Sequence, residues 1–309
     1  MSVGYQAVQS AHAVADLLVQ YPEETRQWHK DSNTIVLLSV PTEKDLFNTA
    51  KALRASKIVH IEFREPDIGN ALTSLALLPN EAATQFCKGN FSVALHPYRI
   101  DANKNSAASD KEKRTRELVK KMSSCFQTKE QTIFDHGMSV RDYTFDLLGI
   151  LEGNKPKFNW QLPSWFFEYK DLILKNLLDE YYIEKYTVFH DCGKPFCLTT
   201  DEDGKQHFLH HAETSYQTWM TLEGNEQIGR LIRMDMDIHT LKPEQVAEFA
   251  ARKEATTLLI VGLAELHSNA TLFGGINSVG FKSKWKKLNR RGKEICDLIQ
   301  RTDKALSIL

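Results

Sequence analysis

The pair His190-Asp191, in the segment YTVFHDCGKP (186–195), sets an imidazole beside a carboxylate ahead of a Gly-Lys turn. Neutral imidazole nitrogen and carboxylate oxygen together suit a divalent cation, and Lys194, three residues on, could offset phosphate charge. Further ligand types lie on both sides. His136 opens a segment in which Val140, Tyr143, Leu147, Leu148 and Leu151 recur at the spacing of one apolar helix face. Glu265 is the sole charge in the apolar run 256–266 (TTLLIVGLAEL). There an unmet carboxylate costs several kcal/mol of desolvation, so a cation should face it. Between these stand His210, His211, Glu213, Asp235, Asp237 and His239. Asp235 and His239 share a face if 230–238 is helical, and Asp237 then points elsewhere. His207, His210 and His211 flank a hairpin-like turn, 200–205, which places two of the three at the surface.

The elements that must carry these residues divide in two. Residues 101–130 are rich in charged and small polar side chains, as a solvated linker or an exposed helix would be, with the break near 110. Before it, residues 7–20 read as a helix with Val8, Ala11, Ala15, Leu18 and Val19 near one face. Residues 34–40 read as a strand, and Thr42 with Asp45 caps a helix whose inner face is Leu46, Ala50 and Leu53. Residues 58–63 and 71–78 read as strands joined by a turn-rich loop. The expected fold is thus an α/β N-terminal domain with a small mixed sheet (1–100), then a linker, then an all-α domain (131–309).

Composition narrows the class. With 42% hydrophobic residues the chain can bury two cores, and a net charge of −1 leaves any polyanion binding to local patches. Such a patch exists at 281–293, where seven cations and two aromatics crowd thirteen residues; its alternative is a final amphipathic helix with Trp285, Leu288 and Ile295 inward. Five scattered cysteines point to reduced thiols, with Cys192 and Cys197 as packing residues. No run approaches a membrane span and no signal pattern opens the sequence, which predicts a cytoplasmic protein without membrane partners.

From about 130 to 280 the pattern resembles the HD-domain phosphohydrolase superfamily: a helix-borne His136, then His190-Asp191, then further His residues, then a distal carboxylate. The resemblance implies that His136, His190, Asp191 and Glu265 hold the principal metal, with Asp235 and His210 or His211 where some members place ligands for a second ion. Asp191 is the usual bridging ligand in two-metal members. The distal ligand in that superfamily is usually Asp; here it is Glu265, one methylene longer.

Residues 2–80 resemble the archaeal and eukaryotic type of peptidyl-tRNA hydrolase. GYQAVQSAHA (4–13) matches its first-helix signature, and Gln27-Trp28 and REPDIGNALT (64–73) extend the match. That family opens with a hydrophobic strand and a loop bearing a catalytic lysine. This sequence begins at the loop and has Tyr5 in place of the lysine; Glu65 or Asp67 and Thr73 match its carboxylate and threonine. His12 is read as a helix residue against the sheet.

The reading that follows is a metal-dependent phosphohydrolase acting on a nucleotide or RNA-end phosphate, its first domain used for binding RNA, tRNA included, or a protein partner. The cofactor would be manganese, magnesium, iron, nickel or zinc, since mixed oxygen and imidazole ligands do not choose among them. Asp191, Lys194, His210 and His211 are the expected catalytic residues; His136, His190, Asp191, Glu265 and Asp235 the expected ligands. The alternatives are a non-catalytic RNA-binding or inhibitory protein and an active peptidyl-tRNA hydrolase.

Overall fold

The computed structural model describes residues 3–88, 96–97, 110–222 and 224–306. The chain forms two compact units, Met1–Val119 and Lys120–Leu309. The first runs α1 (Val3–Gln20), α2 (Pro22–Asp31), β1 (Leu38–Ser39), α3 (Glu43–Ala55), β2 (His60–Glu65), β3 (Ala71–Leu77), α4 (Glu81–Lys88), β4 (His96–Pro97) and α5 (Asp110–Ser124), whose last residues belong to the second unit.

Among the described residues of the first unit the expected mixed sheet is two separate antiparallel ladders, β1 with β4 and β2 with β3. The β2–β3 link is short, closing through a turn of 3-10 helix and left-handed Gly69 and Asn70, at φ 72° and 56°. A connection this short can only reverse the chain, because parallel pairing needs a crossover. The expected strand 34–40 pairs only at Leu38 and Ser39, and Ile35, Val36 and Leu37 are exposed. A helix that periodicity did not mark, α2, begins at Pro22, carries Glu23 and Glu24 in its first turn and His29 and Lys30 in its last, just before Asp31 ends it, which matches proline geometry and, but for Asp31, the helix dipole.

The inner face of α1 also differs from expectation. Gln9, Ala13 and Leu17 are buried, whereas Val8, Leu18 and Val19 are exposed. Ala13 and Leu17 pack with Ile61, Ala76 and Leu78. Small Ala13 permits close approach to the ladder, and Gln9 follows because its amide bonds to Glu65 and Thr73. His12 stacks on Phe63, ring centroids 4.8 Å apart, consistent with its expected place against the sheet. The Thr42–Asp45 capping box forms, and Phe47, Ala50 and Leu53 are buried below it. Of the expected linker, 101–109 lie outside the described residues; 110–124 is α5, with Leu118, Val119 and Met122 buried.

The second unit is mostly helical: α6 (Ile133–Leu151), α7 (Ser164–Glu168), α8 (Lys170–Asn176), α9 (Glu180–Phe189), α10 (Lys194–Cys197), α11 (His211–Leu222), α12 (Glu226–Arg233), α13 (Asp237–Thr240), α14 (Val246–Ala250), α15 (Ala255–Ser268) and α16 (Val279–Leu306). It is not wholly α. β5 (Leu198–Thr200) and β6 (Gln206–Phe208) form a hairpin around the 201–205 turn, where Gly204 takes φ 76°. The center is α15, apolar on every side and buried along nearly its whole length, as a helix enclosed by others must be. It packs on α6, α13 and α16, while α9 packs on α6 and α12.

Gly137 sets the α6–α9 distance. A Cβ there would lie 2.3 Å from the Val188 carbonyl oxygen, so Gly137→Ala should cost about 1–3 kcal/mol through forced separation of the two helices, visible as a lower Tm. In the first unit, burial raises the Glu62 pKa, but His60, Arg54 and Arg64 outweigh it and bring it to about 2. A depressed carboxylate stabilizes above its unfolded pKa and loses that contribution as pH falls through the folded value. Glu62→Gln should therefore cost about 1–2 kcal/mol at neutral pH, with the gap to wild type closing between about pH 4.5 and 2 in denaturant titrations.

Candidate metal centre

The residues read as ligands come from separate elements, apart from the adjacent His190 and Asp191. Thr132 caps α6 in a capping box with Asp135, which fixes the first turn and turns His136 inward, 1% exposed. His190 and Asp191 close α9 and are equally buried. Glu265 stands near the end of α15. The Nε2 atoms of His136 and His190 are 3.2 Å apart. His136 Nε2 lies 3.6 Å from Asp191 Oδ2 and 3.8 Å from Glu265 Oε1, and His190 Nε2 lies 3.3 Å from Asp191 Oδ2. Ligand atoms about 2.1 Å from a common tetrahedral ion stand about 3.4 Å from one another, so these separations fit a shared cation. One atom each from His136, His190 and Glu265 falls within 4.8 Å of the others.

Proton bookkeeping supports the fit. His190 Nδ1 is 2.8 Å from the Thr187 carbonyl and must donate to it, leaving Nε2 bare unless the ring is cationic. That nitrogen faces a second imidazole. Burial lowers the His190 pKa, but Asp191, Asp235 and Glu265 override it and raise it to about 10. The acids thus call for positive charge between the rings, which a proton or a metal ion can supply. Asp191 Oδ1 and His136 Nδ1 are buried without hydrogen-bond partners.

Around this core the other candidates separate. Lys194 Nζ contacts Asp191 Oδ2 at 2.5 Å and donates to Gln127 Oε1 at 2.7 Å. Against the cost of burial, Lys194 and His190 hold the Asp191 carboxyl well below the usual carboxylate range. His211 Nε2 stands 3.7 Å from Asp191 Oδ1. His210 is exposed, at φ 58°, with its carbonyl accepting from Thr214, so of the two expected histidines it is His211 that reaches Asp191. Gly193 makes this approach feasible: a Cβ on it would lie 2.2 Å from Ser215 N, and its own N–H donates to Ser215 Oγ.

Asp235 and His239 do not share a helix. The helix α12 ends at Arg233 and α13 begins at Asp237, with a turn between. Both still reach the cluster. Asp235, buried, accepts from the Tyr186 hydroxyl at 2.7 Å; burial and the nearby Glu265 raise its pKa. His239 Nε2 stands 2.9 Å from Glu265 Oε2, over Gly262, and with His136 it keeps the Glu265 carboxyl well below its ordinary range despite burial. Asp237 pairs with Arg252 instead. His239 and Tyr186 are thus neighbors of the cluster absent from the ligand pattern. His239 could be found only as the residue four beyond Asp235, and Gln127 left no signal in sequence.

The first unit holds a second polar cluster. Glu65 Oε2 accepts from Tyr5 and Gln9, Thr73 donates to Gln9 Oε1 at 2.8 Å, and the Arg116 guanidinium lies 5.0 Å from the Tyr5 ring. Of the two expected carboxylates, Glu65 is the one facing α1, and Asp67 is exposed.

If the His136–His190–Glu265 set binds an ion, manganese, nickel or zinc at about 100 times its Kd should stabilize wild type by about 2.7 kcal/mol, and His190→Ala should abolish the gain. Equal Tm shifts in both proteins would sink the site. Comparison with known proteins bears on the other unit: residues 1–90 match the family described as peptidyl-tRNA hydrolase PTH2. No curated protein and no solved structure matches the chain. No helix among the described residues is long and apolar enough to cross a membrane. The N-terminal domain is peptidyl-tRNA hydrolase-like, and the mostly helical remainder carries the buried histidine and carboxylate cluster.

Proposed function

We propose that the chain is a metal-dependent phosphohydrolase of the HD type, acting on a nucleotide or an RNA-end phosphate through residues 131–309. The observation that carries this reading is the buried pair of facing Nε2 atoms, His136 and His190, ringed by Asp191, Asp235 and Glu265. A divalent ion bound there would supply Lewis acidity and a lowered water pKa, whichever of manganese, magnesium, iron, nickel or zinc it is. His136, His190, Asp191 and Glu265 would hold it, with Asp235 near enough to serve a second.

The chain's own groups do the rest. Lys194, anchored by Gln127, keeps a positive charge on Asp191 and offers the same charge to a phosphoryl oxygen. His211, 3.7 Å from Asp191 and partly open to solvent, is placed to donate a proton to a leaving oxygen. His239 fixes the orientation of Glu265, and Tyr186 that of Asp235. In the same reading residues 1–100 bind RNA, tRNA included, with 101–130 joining the two domains.

A second reading, peptidyl-tRNA hydrolysis, is favored by the family match over 1–90 and by the Gln9–Glu65–Thr73 network. It is weakened by Tyr5 where that resemblance calls for lysine. A panel of nucleotides, cyclic dinucleotides, end-phosphorylated RNAs and peptidyl-tRNA, with each metal supplied in turn, separates the two. Asp191→Ala should lose bound metal and reduce phosphate release by at least about a thousandfold, as loss of about 4 kcal/mol of transition-state stabilization implies. Peptide release insensitive to Asp191→Ala would favor the second reading, and hydrolysis of nothing, with no metal retained, would leave a binding protein.

A further inference from the structure

The helix α16 carries a row of four cations, three of which have no ion-pair partner among the described residues. Lys282, Lys286, Arg290 and Lys293 follow at spacings of four, four and three, so they share one helical stripe, advancing about 16 Å along the axis. Phe281, Leu288 and Ile295 on the opposite face are buried, which turns the stripe outward. Lys282, Lys286 and Arg290 are exposed, and no carboxylate among the described residues forms an ion pair with them. Lys293 is shared with Glu168 at 3.5 Å and Asp297 at 4.0 Å. A row of like charges repels itself, and the chain's net charge of −1 shows that the concentration is local.

The same helix touches the rim of the histidine cluster. The Arg291 guanidinium reaches the carbonyls of Ile238 and His239, at 3.5 and 3.4 Å. Lys284 lies 5.0 Å over the Phe273 ring. An anionic bilayer would ask for an apolar face beside the cations, and among the described residues only Val279, at the head of the stripe, is exposed there, while Phe281, Leu288 and Ile295 are spent on the core. A regular row of charges instead suits a polymer with one negative charge on each unit.

We propose that this stripe is the track for the phosphodiester backbone of a single-stranded RNA. The choice of RNA as the polyanion rests on the function proposed above. The track itself rests on α16 alone.

The test is fluorescence anisotropy of a labeled, 5′-phosphorylated RNA oligonucleotide with the full chain, over a range of salt. Wild type should bind with a steep salt dependence, and Lys282→Glu/Lys286→Glu/Arg290→Glu should bind at least about tenfold more weakly at about 50 mM salt, its slope reduced by about 2, since each single-strand phosphate contact contributes about 0.7. If that variant unfolds, Lys282→Ala/Lys286→Ala/Arg290→Ala, which keeps helix formers on the stripe, should show the same direction. Binding by the variants equal to wild type overturns the proposal, as does wild type that ignores RNA or that prefers phosphatidylserine vesicles. Metal content of the same preparations keeps the two readings apart. RNA bound through the stripe by a protein that holds no metal supports the track and sinks the hydrolase.

Discussion

Three carboxylates, those of Asp191, Asp235 and Glu265, lie together in the interior of the helical unit, and the surrounding structure is organized to keep them there. Each has its own partner: Lys194 on Asp191, Tyr186 on Asp235, His239 on Glu265. Like charges at such distances cannot all ionize in a dry site without compensation. The direction of the pKa changes records the result, with Asp191 and Glu265 held ionized and Asp235 pushed toward its neutral form beside a phenol. What remains is a demand for positive charge between two imidazoles. That demand makes the cluster a candidate centre for chemistry rather than a structural salt bridge, because a structural network would satisfy its own lone pairs.

Bringing groups from four helices this close requires their backbones to approach as closely. Glycine provides the space at each junction: Gly137 beside His136 meets the α9 carbonyl of Val188, Gly193 beside Asp191 meets the start of α11, and Gly262, one turn before Glu265, receives Ile238 and His239. A single methyl at any of them would press on backbone or on a buried side chain. Packing and chemistry are therefore the same constraint here. The helix contacts that bury the apolar faces are those that set the ligand distances.

The N-terminal unit follows a different logic. Its polar cluster is built on one helix and one hairpin, with Gln9 bridging Glu65 and Thr73. Tyr5 occupies the place where resemblance calls for a lysine, and a cation comes from elsewhere in the unit, Arg116 on α5, which lies beyond the 1–90 family match. The unit so keeps a carboxylate, a threonine and a positive charge in one neighborhood, with the charge carried on a different element.

Much of the candidate site was legible in sequence because its signals are local. A histidine next to an aspartate, a periodic apolar segment opening at His136 and a lone acid in an apolar run each need only short-range physics, and the capping box at Thr42 formed as its residue types dictate. Apolar periodicity placed α6, whereas α15, apolar on every side, showed only as an unbroken run. Periodicity misjudged the inner face of α1, because Val8, Leu18 and Val19 looked apolar enough to be buried while a glutamine held by two tertiary hydrogen bonds chose the opposite side. Sequence by itself determined which residues carry metal-ligand chemistry and where the most strongly patterned helices, α3 and α6, lie. Tertiary structure alone decided that His211 and not His210 meets Asp191, that a turn rather than a helix carries Asp235, and that Glu265 faces His239 and His136. Those outcomes depend on contacts between residues far apart in the chain, and on how closely two backbones can approach, which no local pattern encodes.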